Sequence, residues 1–468
     1  MSEENARSGD AAGYSYPTDL ARFVLDRWSD VAADRVAADR VAADGVAADR
    51  VAADGVAADG VSEPLPDLET LDHFFSTCYQ ASLLREEERP VTFRAILASA
   101  RRFPDHGVPP ESLQKLELSR AFAFDALELR RLSVATDTQR SLIGVRSDAH
   151  AGLQIWGLIN SGSRWLRDVQ GGRRAGAPLP PALVVHVDAP GSMSAYKGHR
   201  LLARLQRGHL SGSRADPFAS AWLPEQFSRF RDELLARHEV AARNALKHDG
   251  EEWAPLEPSL PRMISERMVK RVIAVLREAR HGGTLIFVPD AIAQELSTKD
   301  PFIELKYKIR PGQPHPSFPD LVVNILNRLA QRYGLHHRAG EAVTWDDFER
   351  TNDAQLEAFD EALFETAHLI AGLALADGAV VMTKQHDILG FGGMISGRLP
   401  AVASIARASD LEGNRITLEG VESVGARHRS AYRLAAALPG SVVIVISQDG
   451  GVRFVSQKNG RATYWEQE

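Results

Sequence analysis

The sequence predicts an α/β fold: a C-terminal mixed β-sheet flanked by helices, together with an N-terminal α+β domain. Three short runs, at residues 284–288, 380–383 and 442–447, carry this prediction. Each run is almost continuously apolar. This indicates a central strand buried on both faces, because a strand with one exposed face would alternate with polar residues. Patterns of helical periodicity separate the runs, as in sheets that are covered by helices.

The length and composition predict a soluble protein of two domains and a tail. The chain has 468 residues, of which 44% are hydrophobic and 25% charged, as is typical of globular proteins. A net charge of -7 provides no overall basic field. Nucleic acid is therefore not an expected partner.

Three features predict a cytoplasmic location. No run approaches the roughly 18 consecutive apolar residues that a membrane span needs, so no membrane attachment is expected. The N-terminus carries Glu3, Glu4 and Asp10 with no apolar segment behind them, unlike a signal peptide. The single cysteine, Cys78, excludes an intrachain disulfide and is interpreted as a small buried hydrophobic residue in a reducing compartment.

Residues 1–63 precede the predicted globular domains as a helical tail, which can dock on the body of the protein, and a linker. The segment 1–30 contains a short amphipathic helix over 14–28, and the segment 31–63 contains six copies of V-A-A-D-R/G. A five-residue period advances by about 140° per copy, so the valines spiral around a helix and form no stripe. We interpret the repeat as a low-complexity linker. A calcium-binding aspartate array is the alternative, but the ligand spacing of known calcium loops is missing.

An N-terminal domain is predicted from residue 64 to residue 250. The pattern indicates helices over 68–84 and 91–102, and strands over 132–145, 153–160 and 183–187. A polar, proline-containing segment at 247–257 predicts the boundary to the second domain.

Basic side chains cluster near the end of this domain. They are Lys197, His199, Arg200, Arg204 and Arg207. They could form an anion or nucleotide pocket, but a solvated helix face is the favoured interpretation. His186 and Asp188 are interpreted as structural, since no further ligands stand at metal-site spacing.

The second domain, residues 261–468, is predicted to alternate helices and strands. The pattern indicates helices over 261–280, 320–332 and 353–375, a half-exposed strand over 305–309, and a hairpin at the sheet edge with its turn at Asn459 and Gly460.

Two short motifs of this domain lie where a loop meets a regular element. Asp377-Gly378-Ala379 stands between a helix and an apolar strand, where glycine permits close backbone approach and a carboxylate can face a metal ion or a sugar hydroxyl. Gly425-Ala426-Arg427-His428-Arg429 opens a helical pattern. Helix-start N–H groups and guanidinium groups together suit a polyphosphate.

The order of these motifs and strands over residues 261–464 resembles the diadenylate cyclase family, whose members join two ATP molecules into cyclic di-AMP. The run Gly282-Gly283-Thr284-Leu285-Ile286-Phe287-Val288 is similar to an early strand of that family. The region before it resembles, in domain order, the sensor domain that precedes some diadenylate cyclase domains. The resemblance implies a cyclase regulated by an N-terminal sensor whose ligand the sequence does not identify.

The resemblance also implies roles for individual residues. Asp377, Gly378 and Ala379 would form the catalytic motif, with Asp377 orienting the attacking 3′-hydroxyl or a divalent ion. The implied nucleotide and phosphate contacts are Gly425, Arg427, His428, Arg429 and Ser447. The implied ligands of a magnesium or manganese ion are Asp377 and Asp449. Because two ATP-bound domains face each other in this family, self-association through the cyclase domain is expected.

Three positions depart from the family pattern. Ala376 replaces a histidine, Ala426 a threonine, and Gln448-Asp449 a pair of glutamates. Three functions therefore remain open: an active diadenylate cyclase, which the intact motifs favour; a module that binds ATP or a cyclic dinucleotide without making one; and a nucleotidyltransferase with another product. The sequence also leaves the metal preference and the base specificity open.

Overall fold

The computed structural model describes residues 14–28, 65–109, 112–148, 150–162, 179–206, 208–212, 216–296, 302–312, 317–334 and 342–467. The chain divides into two compact units. The first comprises Met1–Leu166 and Ala175–Ser213, and the second comprises Arg167–Arg174 and Arg214–Glu468. The predicted linker with its pentapeptide repeat lies outside the described residues.

The described part of the first unit contains three α-helices and ten strands. The helices are α1 (Pro17–Arg27), α2 (Leu68–Ser82) and α3 (Ala126–Ser133). The strands are β1 (Arg85–Glu86), β2 (Arg89–Pro90), β3 (Phe93–Leu97), β4 (Gln114–Ala123), β5 (Ser141–Asp148), β6 (Gly152–Asn160), β7 (Leu183–Ala189), β8 (Ser192–Lys197), β9 (Arg200–Gln206) and β10 (His209–Gly212). A short 3-10 turn, Ala100–Arg102, follows β3.

Eight of these strands form one sheet in the order β10-β9-β8-β7-β3-β5-β6-β4. The three helices contribute to an apolar core against one face of this sheet, which includes Leu20 of α1, Phe74 of α2 and Leu129 of α3. The predicted helices over 14–28 and 68–84 are confirmed. Asp67 caps α2 by accepting a hydrogen bond from the backbone N of Thr70 at 2.8 Å.

Two predictions in the first unit were wrong. The segment 91–102 is not a helix, since Phe93–Leu97 forms a buried strand between β5 and β7. Pairing with two neighbouring strands outweighs the helix propensity of its alanine and arginine residues. The segment 132–145 is a strand only from Ser141 onward, because α3 extends to Ser133 and turns follow it.

The basic cluster lies on a β-hairpin and not on a helix face. Lys197 ends β8 and Arg200 begins β9, with the turn between them. Lys197 Nζ donates to the backbone oxygen of Trp28 at 2.9 Å and lies 4.8 Å from its ring centroid. Arg204 Nε donates to Ser194 Oγ at 3.0 Å. Arg207 lies outside the described residues.

The described part of the second unit contains eight α-helices and nine strands. The helices are α4 (Trp222–Glu225), α5 (Ser228–Asp249), α6 (Leu260–Ala279), α7 (Asp290–Leu296), α8 (Phe318–Gly334), α9 (Trp345–Arg350), α10 (Ala354–Ala374) and α11 (Ala426–Ala437). The strands are β11 (Gly283–Val288), β12 (Ile303–Lys308), β13 (Ala379–Thr383), β14 (Ile388–Ile395), β15 (Ser404–Ala408), β16 (Ile416–Gly420), β17 (Val442–Ile446), β18 (Val452–Lys458) and β19 (Arg461–Gln467). A 3-10 turn, Pro217–Ala219, precedes α4.

The nine strands form one mixed sheet in the order β12-β14-β13-β11-β17-β18-β19-β15-β16. The three predicted strands β13, β11 and β17 are adjacent and buried on both faces, as their apolar runs indicated. Helices α6, α8 and α10 share an apolar core with one face of the sheet. Helix α11 packs on the other face. The predicted α/β class, a mixed sheet flanked by helices, is confirmed.

The hairpin β18–β19 forms, with its turn at Asn459 and Gly460, but it does not lie at the sheet edge. Strands β15 and β16, which the sequence did not reveal, extend the sheet beyond β19. The described residues include no helix with the length and apolar character that a membrane crossing requires.

Helix α5 belongs to the second unit, so the division between the units lies before the predicted segment 247–257. Arg237 of α5 forms an ion pair with Asp320 of α8 at 2.6 Å. His238 Nδ1 and Asn327 Oδ1 are hydrogen-bonded at 2.8 Å.

Candidate functional site

The strand register of the second unit gathers three distant segments at one edge of the sheet. Strands β11 and β13 are parallel, with Leu285 opposite Val380. Strands β11 and β17 are antiparallel, with Gly283 opposite Ile446. The starts of β11 and β13 and the end of β17 therefore lie side by side. We call this the site edge.

The Asp377-Gly378-Ala379 motif enters the site edge from α10. The helix ends at Ala374, and Asp377 is exposed in the short link before β13. Gly378 has φ +108°, and a Cβ there would lie 2.6 Å from the carbonyl carbon of Gly392 on β14. Ala379 is buried in the apolar core. Asp377 thus presents a carboxylate to solvent, whereas Gly378 and Ala379 hold the loop against the sheet.

The second motif begins α11. Gly425 occupies the N-cap position without a side-chain cap, so the first N–H groups of this twelve-residue helix have no intrahelical partner. Arg427 Nη1 donates to the backbone oxygen of His281 at 3.2 Å. A Cβ on Gly282 would lie 2.8 Å from the same nitrogen. The start of α11 therefore lies against the loop before β11, at the site edge.

Arg429 is exposed, and its Nη1 donates to the backbone oxygen of Glu422 at 3.5 Å. It lines a depression beside the first turns of α11. The other lining residues are Ala401, Val402, Val421, Ala426, Ser430, Tyr432 and Arg433. The guanidinium groups of Arg429 and Arg433 give this depression a positive lining, which suits an anion.

His428 is half-buried, and its ring centroid lies 6.3 Å from that of Tyr432. Burial lowers the pKa of His428 to about 4, and the nearby charge of Arg453 acts in the same direction. The imidazole is consequently neutral near pH 7. It can donate or accept a hydrogen bond at a phosphate, but it does not supply a positive charge there.

Ser447 and Asp449 form a tight turn after β17. Ser447 N donates to the backbone oxygen of Gly451 at 2.8 Å, and Ser447 Oγ contacts Asp449 Oδ1. A Cβ on Gly282 would lie 2.7 Å from the backbone oxygen of Ile446. The turn therefore abuts the loop before β11 and shares the site edge with Arg427.

Arg453 on β18 is a residue that sequence reasoning missed. Its Nη1 donates to Tyr432 Oη at 2.8 Å, and its Nη2 pairs with Glu466 at 2.8 Å. Arg407 pairs with the other oxygen of Glu466 at 3.0 Å. These contacts connect α11 to three strands. One indication of its role was visible in the sequence, because Arg453 interrupts the apolar run V-R-F-V. Two buried residues flank it, Val452 and Phe454.

The carboxylates of the candidate site do not form a complete set of protein ligands for a metal ion. Within the described ranges, no group of three or more His, Cys, Asp or Glu side chains is arranged to hold a metal ion. Asp377 precedes β13 and Asp449 follows β17, two strands that β11 separates. Magnesium takes one or two protein carboxylates and completes its shell with substrate phosphates and water, so one of these carboxylates would be enough to hold it.

Residues 61–160 match a protein-family model described as a probable sensor domain, DACNV. The matched range includes α2 to β6 of the first unit, so the predicted resemblance to a sensor domain is confirmed for this segment. Comparison of the chain with curated proteins and with solved structures found no match.

Proposed function

We propose that the second unit is a diadenylate cyclase that condenses two ATP molecules into cyclic di-AMP, and that the first unit regulates it as a sensor. One observation carries the proposal. Asp377, the start of α11 and the turn after Ser447 are far apart in sequence but lie at the same edge of the sheet. The match of residues 61–160 to a probable sensor domain supports the regulatory part.

The start of α11 is proposed to hold the triphosphate. Its unpaired N–H groups and the positive end of the helix dipole favour an anion. Arg427 is already oriented by its bond to the backbone of His281, so little side-chain freedom is lost when a phosphate binds. Arg429 and the neutral imidazole of His428 supply further hydrogen bonds.

Asp377 is proposed to orient the attacking hydroxyl. Its carboxylate is exposed on a loop whose backbone is fixed by Gly378, so its position is held without burying its charge. A magnesium or manganese ion bound by Asp377 or Asp449 would neutralise charge on the phosphates.

The proposed reaction balances as two identical steps. The 3′-hydroxyl oxygen of one ATP attacks the α-phosphorus of the other and gives up its proton to solvent. A P–O bond forms, and the bond between the α-phosphorus and the oxygen that bridges to the β-phosphorus breaks with release of pyrophosphate. Each second unit has one site edge and binds one ATP. Two copies must therefore face each other, and self-association through the second unit is part of the proposal.

A second candidate is a sensor that binds ATP or a cyclic dinucleotide without turnover. Ala376, Ala426 and Gln448 favour it, because the two alanines lack the polar side chain, and Gln448 lacks the carboxylate, that the family pattern carries beside the site. A nucleotidyltransferase with another product is the third candidate. The exposed carboxylate of Asp377 favours an enzyme, since a carboxylate weakens the binding of an anion unless it serves a metal ion or the chemistry.

The test is incubation of the full chain with ATP and either magnesium or manganese, with products identified by mass. Cyclic di-AMP is expected from the wild type and from Asp346→Asn, an exposed acidic residue on α9. Asp377→Asn should form at least about 100-fold less, as expected for loss of a group that orients the nucleophile. Saturable ATP binding without any product would establish the second candidate, and a different product the third.

A further inference from the structure

Strand β16 is an uncovered edge of the sheet in the second unit. It is the last strand in the sheet order, and among the described strands it pairs with β15 alone. The backbone oxygen of Arg415 accepts a hydrogen bond at 2.8 Å, and the backbone N of Val421 donates one at 3.3 Å, with the residues that flank β15. Backbone groups alternate in direction along a strand, so those of Ile416 and Leu418 point away from β15. They are open to a further strand.

Both faces of β16 also carry exposed side chains. Ile416 and Leu418 lie on one face and are 40% and 58% exposed. Arg415 and Glu419 lie on the other face. Each pairs with a neighbour of opposite charge, at 3.5 and 3.4 Å, yet their side chains keep 81% and 36% of their surface exposed. An edge strand with exposed apolar side chains and outward backbone groups favours pairing with another chain.

The opposite edge of the same sheet is protected against such pairing. Strand β12 carries Glu304, Lys306 and Lys308, whose charged side chains are exposed. Charges at an edge strand, and lysines above all, discourage the approach of another strand. Pairing of β12 with its own copy about Lys306 would also place two lysines opposite each other. Strand β16 contains neither a lysine nor a proline, so it lacks this protection.

The sequence of β16 and the residue before it is self-complementary. The five residues Arg415-Ile416-Thr417-Leu418-Glu419 are basic, apolar, hydroxyl-bearing, apolar and acidic in turn. In an antiparallel pair with a second copy centred on Thr417, arginine lies opposite glutamate, isoleucine opposite leucine, and threonine opposite threonine. Ile416 and Leu418 then form the hydrogen-bonded pairs, so their outward N–H and C=O groups make about four intermolecular bonds.

We propose that β16 is an interface through which a second copy of this chain extends the sheet, with Thr417 on the two-fold axis. A two-fold contact of this kind requires a strand that matches its own reverse, and the register centred on Thr417 meets this requirement. A register centred on Leu418 would place Arg415 opposite Val421 and Glu419 opposite Thr417. It would match no charges, so the register centred on Thr417 is the favoured one.

This pairing differs from the one that the proposed reaction needs. The strand directions from β17 through β18, β19 and β15 place the start of β16 toward the site edge. A second copy in antiparallel pairing runs the other way, so the two site edges lie at opposite ends of the joined sheet. They cannot face each other there. The interface is therefore separate from the proposed cyclase chemistry and stands if that proposal fails.

The test is disulfide cross-linking of the full chain under mild oxidation, without nucleotide. The natural cysteine, Cys78, is buried, so an introduced surface cysteine is the reactive thiol. Thr417→Cys should form a cross-linked dimer, because the Cα atoms of such a pair lie about 4.5 Å apart. Leu418→Cys is the matched control. Its own copy would lie about 8 Å away, too far for a disulfide, so it should cross-link at least about tenfold more slowly.

A charge reversal tests the register independently. In the Thr417→Cys background, Arg415→Glu places like charges opposite each other and should slow cross-linking about tenfold. Arg350→Glu is the control and should leave the rate unchanged, since Arg350 on α9 is 82% exposed and likewise pairs with a nearby aspartate. Equal cross-linking of Thr417→Cys and Leu418→Cys would overturn the proposal. A rate that Arg415→Glu leaves unchanged would overturn it as well, because the charges would then not face each other.

Discussion

Single residues at the site edge have different physical tasks. Asp377 and Arg429 are exposed and can reach a ligand, whereas Gly378 and Ala379 fix the backbone behind them. Glycine is required at 378 for two reasons: the positive φ and the contact with Gly392 on β14. This close contact between the loop and strand β14 fixes the position of the loop that carries Asp377.

Gly378→Ala is expected to destabilise the protein by about 2–4 kcal/mol. The added methyl group meets backbone atoms, which cannot move aside as a flexible side chain does, and alanine disfavours the positive φ. Gly372→Ala in α10 is the control, since a Cβ there meets nothing within 4 Å and alanine favours a helix. Urea unfolding of both variants checks the contrast, and equal stabilities would contradict it.

Lys384, a half-buried lysine whose Nζ is itself buried, follows the end of β13 that lies away from the site edge. Lys384 Nζ has no hydrogen-bond partner among the described residues and lies 4.7 Å from the ring centroid of Phe227. Burial lowers the pKa of Lys384 to about 7, although the carboxylate of Asp290 acts against the shift. Between this value and the usual 10.5 the unfolded chain binds a proton that the folded chain does not, so stability falls as the pH falls through this range.

Lys384→Met should therefore be more stable than the wild type at pH 7, by about 1–3 kcal/mol. The difference should shrink as the pH rises and become constant above about 10.5, where both states of the wild type are neutral and only the different packing of lysine and methionine is left. Lys247→Met, at an exposed position of α5, should show no such pH dependence. Urea unfolding across this pH range measures both, and a pH-independent difference would show that the lysine is not buried neutral.

At the scale of elements, α11 is held in place by a charged network. Arg453 joins Tyr432 of the helix to Glu466 of β19, and Arg407 joins Glu466 to Glu419 of β16. Replacing one member leaves the others partly paired. The network lies beneath the first turns of the helix, so its charge acts on His428.

Arg453→Met is expected to raise the pKa of His428 above its value of about 4, because a positive charge that disfavours the imidazolium is removed. Burial remains, so the pKa should stay below 6.5. Since the folded pKa is depressed, stability is lost as the pH falls from about 6.5 through the folded pKa, and less is lost in the variant. NMR titration of the His428 ring checks the shift, with Arg415→Met as the exposed control. An unchanged pKa would contradict the account.

The sequence predicted some elements well and others not. Strands β11, β13 and β17 were predictable because both of their faces are buried, which leaves a continuous apolar run. Strand β3 is equally buried, but Arg94 interrupts its apolar run. The alanines in and around it have a high helix propensity, which favoured the wrong prediction. Strands β15 and β16 carry many exposed residues. Their sequences therefore contain no continuous apolar run from which a strand could be predicted.

The motifs of the candidate site could be recognised in the sequence, but the residues that hold these motifs in place could not. Asp377 and Arg427 stand in short motifs with recognisable chemistry. Arg453 and Glu466 act through pairing across strands, which depends on a register that sequence spacing does not give. The neutral state of His428 likewise depends on burial and on a charge from another strand.

At the scale of the whole molecule, the chain combines a unit that contains a probable sensor segment with a unit that carries the candidate site. The proposed reaction needs two site edges that face each other. At protein concentrations below the dissociation constant of the self-association, the activity per molecule should rise in proportion to concentration, because only paired units react. Initial rates over a 100-fold dilution series, beside light scattering, check this. Constant activity of a strictly monomeric protein would contradict it.

The central claim is that the site edge joins two ATP molecules through their 3′-hydroxyl groups. The most direct measurement compares pyrophosphate release from ATP and from 3′-deoxy-ATP, beside the yield of cyclic di-AMP. The account predicts two pyrophosphates per cyclic di-AMP from ATP and no release from the deoxy analogue, which lacks the nucleophile. Equal release from both nucleotides would show that water attacks the phosphate, and the cyclase account would be wrong.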